Sequence, residues 1–262
     1  MPETEHVSVE RDGAVGRVVM NRPDRHNAMT PAMARDVASA LETVATDETI
    51  RCVVLTGSGA TFNTGADLSD LAGDASDGEI VDSVAGPLHE SVRTMASAPK
   101  PVVTGINGVV AGGGLGLALT ADVAIMAEDA RIEYAYPTIG LSGDGGITWM
   151  LPRLLGLRRA QTFALLNEGF GADEAVASGL VTESVPTAGF DDRLDSVASD
   201  LAAGPTAALG TIRRLLFAGG HQPLEDHLEA ERTGVVELTE TSDYRTGIEM
   251  FFEDDDPTFE GH

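Results

Sequence analysis

Four short apolar runs, residues 15–20, 52–56, 102–106 and 123–126, are each separated from the next by a stretch of helical character. Runs of this length, rich in Val and Ile and bounded by turn residues, read as buried strands. A strand, a helix and a second strand return the chain in the same direction, so the order predicts parallel sheet layers in an α/β domain. Thr30 is a predicted N-cap with Pro31 at the first helical position, and that helix is expected to reach about Val44. A second helix is expected over 80–98, ending before Pro99, and a third over 117–121, after the glycine cluster Gly112-Gly113-Gly114-Leu115-Gly116. From about residue 146 the pattern turns helical. Helices are expected at 147–155, 158–166 and 173–178, in two pieces of 190–217 parted at Gly204-Pro205, and at 223–239 and 244–252, with a last strand at 181–185. The expected organisation is an α/β core over residues 1–200 and a C-terminal helical region over 201–262.

Charge excludes whole classes of function. Asp and Glu number 42 against 17 Lys and Arg, a net charge of −25. Such a surface repels phosphate backbones and anionic bilayers, so neither nucleic acid nor membrane is an expected partner. Lys100 is the only lysine. Acidity spread along the chain, with lysine nearly lost, reads as adaptation to a salt-rich cytoplasm in which ions screen self-repulsion. The N-terminus is acidic rather than signal-like, and no apolar stretch is long enough to span a bilayer. The single cysteine, Cys52, lies in an apolar run and reads as a buried thiol in a reducing compartment. A cytoplasmic location is the resulting expectation. The histidines show no ligand-like clustering, so no metal is expected.

The chemistry is carried by two glycine-containing segments. Gly57-Ser58-Gly59 follows a strand, but Phe62 breaks the dinucleotide spacing, and the cluster at 112–116 lacks the Lys-Ser/Thr ending of a phosphate loop. Glycines opening a helix expose backbone N–H groups where the helix dipole favours negative charge; close helix packing is their other use. In Phe62-Asn63-Thr64-Gly65-Ala66-Asp67-Leu68, Gly65 allows a tight turn that presents the N–H of Ala66. Two such N–H groups aimed at one oxygen would make an oxyanion hole.

The segment 62–68 and the stretch from Asn107-Gly108 through Gly112-Gly113-Gly114 stand in order with five others: 21–29 (Asn-Arg-Pro-Asp-Arg-His-Asn-Ala-Met), 99–102 (Pro-Lys-Pro-Val), Ala121-Asp122, 151–156 (Leu-Pro-Arg-Leu-Leu-Gly) and 177–181 (Ala-Ser-Gly-Leu-Val). Together they resemble the crotonase (enoyl-CoA hydratase/isomerase) superfamily over nearly the whole chain. The resemblance implies a crotonase-like spiral of ββα units with a C-terminal α-helical trimerisation region, a homotrimer or dimer of trimers, and an acyl-CoA substrate held as a thioester enolate. It implies no cofactor beyond the CoA of the substrate. By position it puts the N–H groups of Ala66 and Gly113 in the oxyanion hole. Arg25, Ala28, Met29, Asp67 and Leu68 would follow the CoA path, and Phe251 would reach a neighbour's adenine, with Asp254 where a lysine usually follows. The two glutamates by which relatives activate water are replaced by Gly116 and Tyr136. Asp144 is then the acid/base candidate, taking a proton at C2 or C4 of the acyl chain and returning it at the other carbon; N-capping the helix near Gly146 is its alternative role. Gly143 stands where the family usually has proline. His89 and Asp144 also match the base and nucleophile of a member that dehalogenates 4-chlorobenzoyl-CoA. Enoyl-CoA isomerisation ranks first among the expected activities. Behind it come a hydratase using Asp144 alone, dehalogenase-like hydrolysis, and a non-catalytic CoA-binding scaffold.

Overall fold

The computed structural model describes residues 4–253 and 257–262. It opens with strands β1 (Val7–Asp12) and β2 (Val15–Met20), helix α1 (Pro31–Thr46), strands β3 (Cys52–Gly57) and β4 (Thr61–Asn63), and helix α2 (Asp77–Ser97). Strands β5 (Val102–Ile106) and β6 (Val109–Ala111) precede helix α3 (Gly114–Leu119), and β7 (Val123–Ala127) and β8 (Arg131–Glu133) follow it. Then come α4 (Ile147–Leu155), α5 (Leu157–Leu166), β9 (Phe170–Gly171), α6 (Ala172–Ala177) and β10 (Glu183–Val185). Four helices close the chain: α7 (Phe190–Ala203), α8 (Thr206–Ala218), α9 (Leu224–Leu238) and α10 (Ser242–Glu253).

The strands form two sheets, in the orders β1-β2-β3-β5-β7-β10 and β4-β6-β8-β9. Pairing is parallel except for β1 with β2 and β8 with β9. The pairs β3 and β4, β5 and β6, and β7 and β8 each place one strand in either sheet, so the chain spirals as ββα units. This is the α/β architecture the resemblance implied.

Burial explains why the elements form where they do. All six residues of β3 are buried, as a central parallel strand requires. In α1 the buried positions Met33, Ala34, Val37, Ala40, Leu41, Val44 and Ala45 recur at helical spacing, and Thr30 accepts the Met33 N–H at 3.2 Å as the N-cap. Cys52 is fully buried, and desolvation, with the Asp122 charge behind it, pushes its thiol up to about 12.

The C-terminal helices are tied into the core by arginines. Arg213 of α8 donates to Asp122 Oδ2 at 2.7 Å and to the carbonyls of Met95, Ala96 and Ala98 at the end of α2. Arg51 reaches Thr206, Gly204 and Phe259, while Asp243 accepts the Glu260 and Gly261 N–H groups. Yet Leu165, Leu216, Phe251 and Phe252 are each more than 70% exposed, a large apolar surface for an isolated subunit. No helix among the described residues is long and apolar enough to cross a membrane.

Candidate active site

The site sits at the C-terminal ends of two neighbouring parallel strands. Thr61 and Asn63 of β4 pair with Val109 and Val110 of β6, so the turns that follow them emerge side by side. Gly65 has φ +83°, and a Cβ there would lie 2.9 Å from the Gly113 nitrogen, so only glycine lets the two turns meet so closely. The Met29 N–H donates to Gly65 O at 2.7 Å and the Asp67 N–H to Met29 O at 2.9 Å, which fixes the peptide carrying Ala66. Among the described residues, neither the Ala66 nor the Gly113 N–H donates to a protein acceptor. Both residues line a cavity of about 270 Å³ whose walls are mainly apolar, with Met29, Leu68, Leu88, Ile139 and Leu141 among them.

Asp144 lines the same cavity, on the loop between β8 and α4. One carboxylate oxygen, Oδ1, accepts the Tyr136 hydroxyl. The other, Oδ2, lies 3.7 Å from His89 Nε2. The Gly145 N–H donates to that same nitrogen at 3.2 Å, so Nε2 serves as an acceptor. Burial drives the Tyr136 phenol far above its ordinary range, with the Asp144 charge adding to it, so Tyr136 stays a neutral donor. The Tyr134 hydroxyl donates to Ser142 O and pins the loop from the other side.

Asp144 does not serve as a helix cap: α4 starts at Ile147 with Gly146 in the cap position and no side-chain cap bond. Gly143 has φ +115°, which a proline ring at about −65° cannot reach, so this loop takes a course the family's usual residue would forbid. A Cβ on Gly116 would collide with the carbonyl oxygen of Gly145. The loop carrying Asp144 therefore packs into the space an acidic side chain at 116 would need.

The other expected site residues are spread. Met29 and Leu68 line the cavity beside Ala66 and Gly113, while Ala28 is buried outside its lining. Asp67 turns its carboxylate to Ser69 and to Arg22, 3.0 Å away, and these partners hold it below the ordinary range. Arg25 ends an exposed 3₁₀ turn, Pro23–Arg25, and is not part of the cavity wall. Phe251 is 78% exposed and also stands apart from the cavity. Asp254 lies outside the described residues. Two residues were not singled out for these roles. Arg22 bridges Asp67 to the Ala28 carbonyl, and Tyr136, which the sequence marked only as a replaced residue, is the hydrogen-bond donor to Asp144.

Two backbone N–H groups without a protein acceptor and one carboxylate thus share an apolar cavity, a combination able to hold developing negative charge beside a proton acceptor. Residues 10–262 match the family model for enoyl-CoA hydratase/isomerase, and the chain belongs to that family. A Rhodobacter capsulatus relative named probable enoyl-CoA hydratase is 38% identical over 93% of each chain. The 1,2-epoxyphenylacetyl-CoA isomerase of Escherichia coli is 36% identical over 93% of this chain and 94% of its own. The solved structure of an enoyl-CoA hydratase from Bacillus anthracis superposes with a TM-score of 0.92 at 27% identity, covering 98% of this chain and all of that one.

Proposed function

We propose that this acyl-CoA enzyme moves a carbon–carbon double bond along an enoyl thioester, with Asp144 as the proton shuttle. The carrying observation is a single carboxylate in the cavity wall beside the open N–H pair of Ala66 and Gly113, with no room for an acid at 116. The Ala66 and Gly113 N–H groups take the thioester oxygen. As Asp144 removes a proton from C2 of a 3-enoyl chain, the electron pair moves onto that oxygen and the two donors hold the enolate. Asp144, now the acid, returns the proton at C4 and the double bond reforms between C2 and C3. Tyr136 remains hydrogen-bonded to the carboxylate, so the proton is exchanged at a fixed group.

Hydration needs a second group to position water beside the carboxylate. With Gly116 bare and Tyr136 already bonded to Asp144, that arrangement has less support. A dehalogenase-like hydrolysis is the second reading, favoured by the His89 Nε2 that lies 3.7 Å from Asp144. The exposed apolar side chains of the helical region support assembly as a homotrimer or a dimer of trimers. The test is to offer the purified protein a 3-enoyl-CoA and, separately, a 2-enoyl-CoA, and follow the absorbance of the conjugated thioester. Absorbance growing from the 3-enoyl substrate is the expected result. Loss from the 2-enoyl substrate with 3-hydroxyacyl-CoA formed would replace the isomerase with a hydratase.

A further inference from the structure

We propose that Asn63 is the positioning residue that sets both backbone donors of the oxyanion corner at once. This rests on the reading of Ala66 and Gly113 as that corner. Asn63 is fully buried at the end of β4, between the two turns. Its Oδ1 accepts the Gly65 N–H at 2.8 Å, which orients the turn whose next peptide presents the Ala66 N–H. The opposite turn rests on the same residue. A Cβ on Gly114 would lie 2.7 Å from Asn63 Oδ1 and would collide with the Asn63 carbonyl oxygen, so the backbone next to Gly113 packs directly on Asn63. The amide nitrogen donates to Asn27 O at 2.7 Å. An acceptor on one side and an N–H donor on the other leave only one orientation of the amide.

Asn27 is itself fully buried, with φ +52°, and its side chain is fully engaged. It donates to Thr61 O at 2.7 Å and to Ser58 O at 3.0 Å and accepts the Arg22 N–H at 2.8 Å. Asn63 therefore stands on a second buried amide that ties the 22–29 segment to β4. Buried polar groups linked in this way act as a unit, and breaking one member displaces the groups it holds. Asn63 touches no cavity volume of its own, so its effect reaches the ligand only through the two N–H groups.

The test uses acetoacetyl-CoA, whose enolate absorbs in the near ultraviolet and whose enolate fraction rises when its oxygen is held by hydrogen-bond donors. Butyryl-CoA, which does not form an enolate under these conditions, serves as the ground-state control. Asn63→Ala removes the acceptor for the Gly65 N–H. Asn63→Ser leaves nearly the same volume but restores an oxygen that can bond two residues ahead. The wild type is expected to raise the enolate band on binding. Asn63→Ala is expected to lose about tenfold or more of that band and of kcat, in the range set by a displaced oxyanion donor. Its butyryl-CoA affinity and KM should stay within about twofold, since ground-state contacts are kept. Asn63→Ser should recover most of the loss. Should Asn63→Ala not fold, Asn63→Cys carries the same comparison, because its thiol is a weak acceptor of near-serine size. A band in Asn63→Ala or Asn63→Cys equal to that of the serine variant would overturn the role of Asn63. A wild type that binds butyryl-CoA but raises no enolate band would overturn the oxyanion reading itself.

Discussion

Asp144 and its neighbours show how much one side chain depends on its surroundings. One carboxylate oxygen accepts from a tyrosine whose phenol burial pushes well above its ordinary range, and the other lies 3.7 Å from a histidine nitrogen that already accepts a backbone N–H. The glycine turns that present Ala66 and open the helix after Gly113 were visible in one dimension, while the roles of Asp144, His89 and Gly113 came from the family resemblance. The Tyr136 bond was not visible, because it depends on the path of a loop in which Gly140, Gly143, Gly145 and Gly146 all take positive φ. The Arg22–Asp67 pair escaped for the same reason, being 45 residues apart in sequence. Cys52 gives a test at this scale. Its folded value of about 12 lies above the ordinary 9.0, so the folded state holds the thiol proton more tightly than the unfolded state. That contribution to stability is complete below pH 9 and is lost as pH rises toward 12. Native protein at pH 9 should resist iodoacetamide, and urea-unfolded protein at the same pH should be alkylated within minutes. Equal rates would show that the thiol is not buried.

Among the elements, the helices and the strands β2, β3, β5, β7 and β10 were legible, whereas β1 and the short strands β4, β6, β8 and β9 were not. The run at 52–56 became β3 because it is a short, continuously apolar stretch buried on both faces, and the helix expected from Thr30 became α1 because its buried positions recur at helical spacing. Strands β4, β6 and β8 have three residues each, too few to show alternation, and they exist because β4 and β6 find parallel partners in the second sheet. Strand β1 was missed although Asp12-Gly13, with φ +54° at Gly13, is a hairpin signal. These short strands matter most for the site, because β4 and β6 bring the two turns together. Gly65→Ala tests that approach. A methyl group there needs a left-handed backbone and sits 2.9 Å from the Gly113 nitrogen. The backbone strain costs about 1–2 kcal/mol, and displacement of the Gly113 N–H should lower kcat by about a hundredfold. Melting temperature and steady-state kinetics measure the two effects separately, and unchanged kcat would mean the turns need not touch.

On the scale of the whole molecule, charge and assembly dominate. Forty-two acids against 17 basic side chains make the folded state repel itself, and the repulsion is long-ranged in dilute buffer. Melting temperature should climb by several degrees or more between about 0.1 M and 1 M KCl, as charges separated by more than about 10 Å and 3 Å respectively are screened. A melting temperature insensitive to KCl would remove salt adaptation from the account. The α/β class and helical C-terminal region were legible, because alternation of strands and helices follows from hydrophobic pattern alone. How Arg213 and Arg51 lock that region to the core was not, since both bond mainly to backbone carbonyls that carry no sequence signature. The central claim is that Asp144 moves the proton while the Ala66 and Gly113 N–H groups hold the oxygen. Its most direct test is turnover of a 3-enoyl-CoA by Asp144→Asn in concentrated KCl, with acyl-CoA affinity measured on the same preparation. The account predicts a fall in kcat of about 10²–10⁴-fold, the usual worth of an acid/base group, with affinity nearly unchanged. Turnover equal to the wild type would contradict it and place the proton transfer on another group.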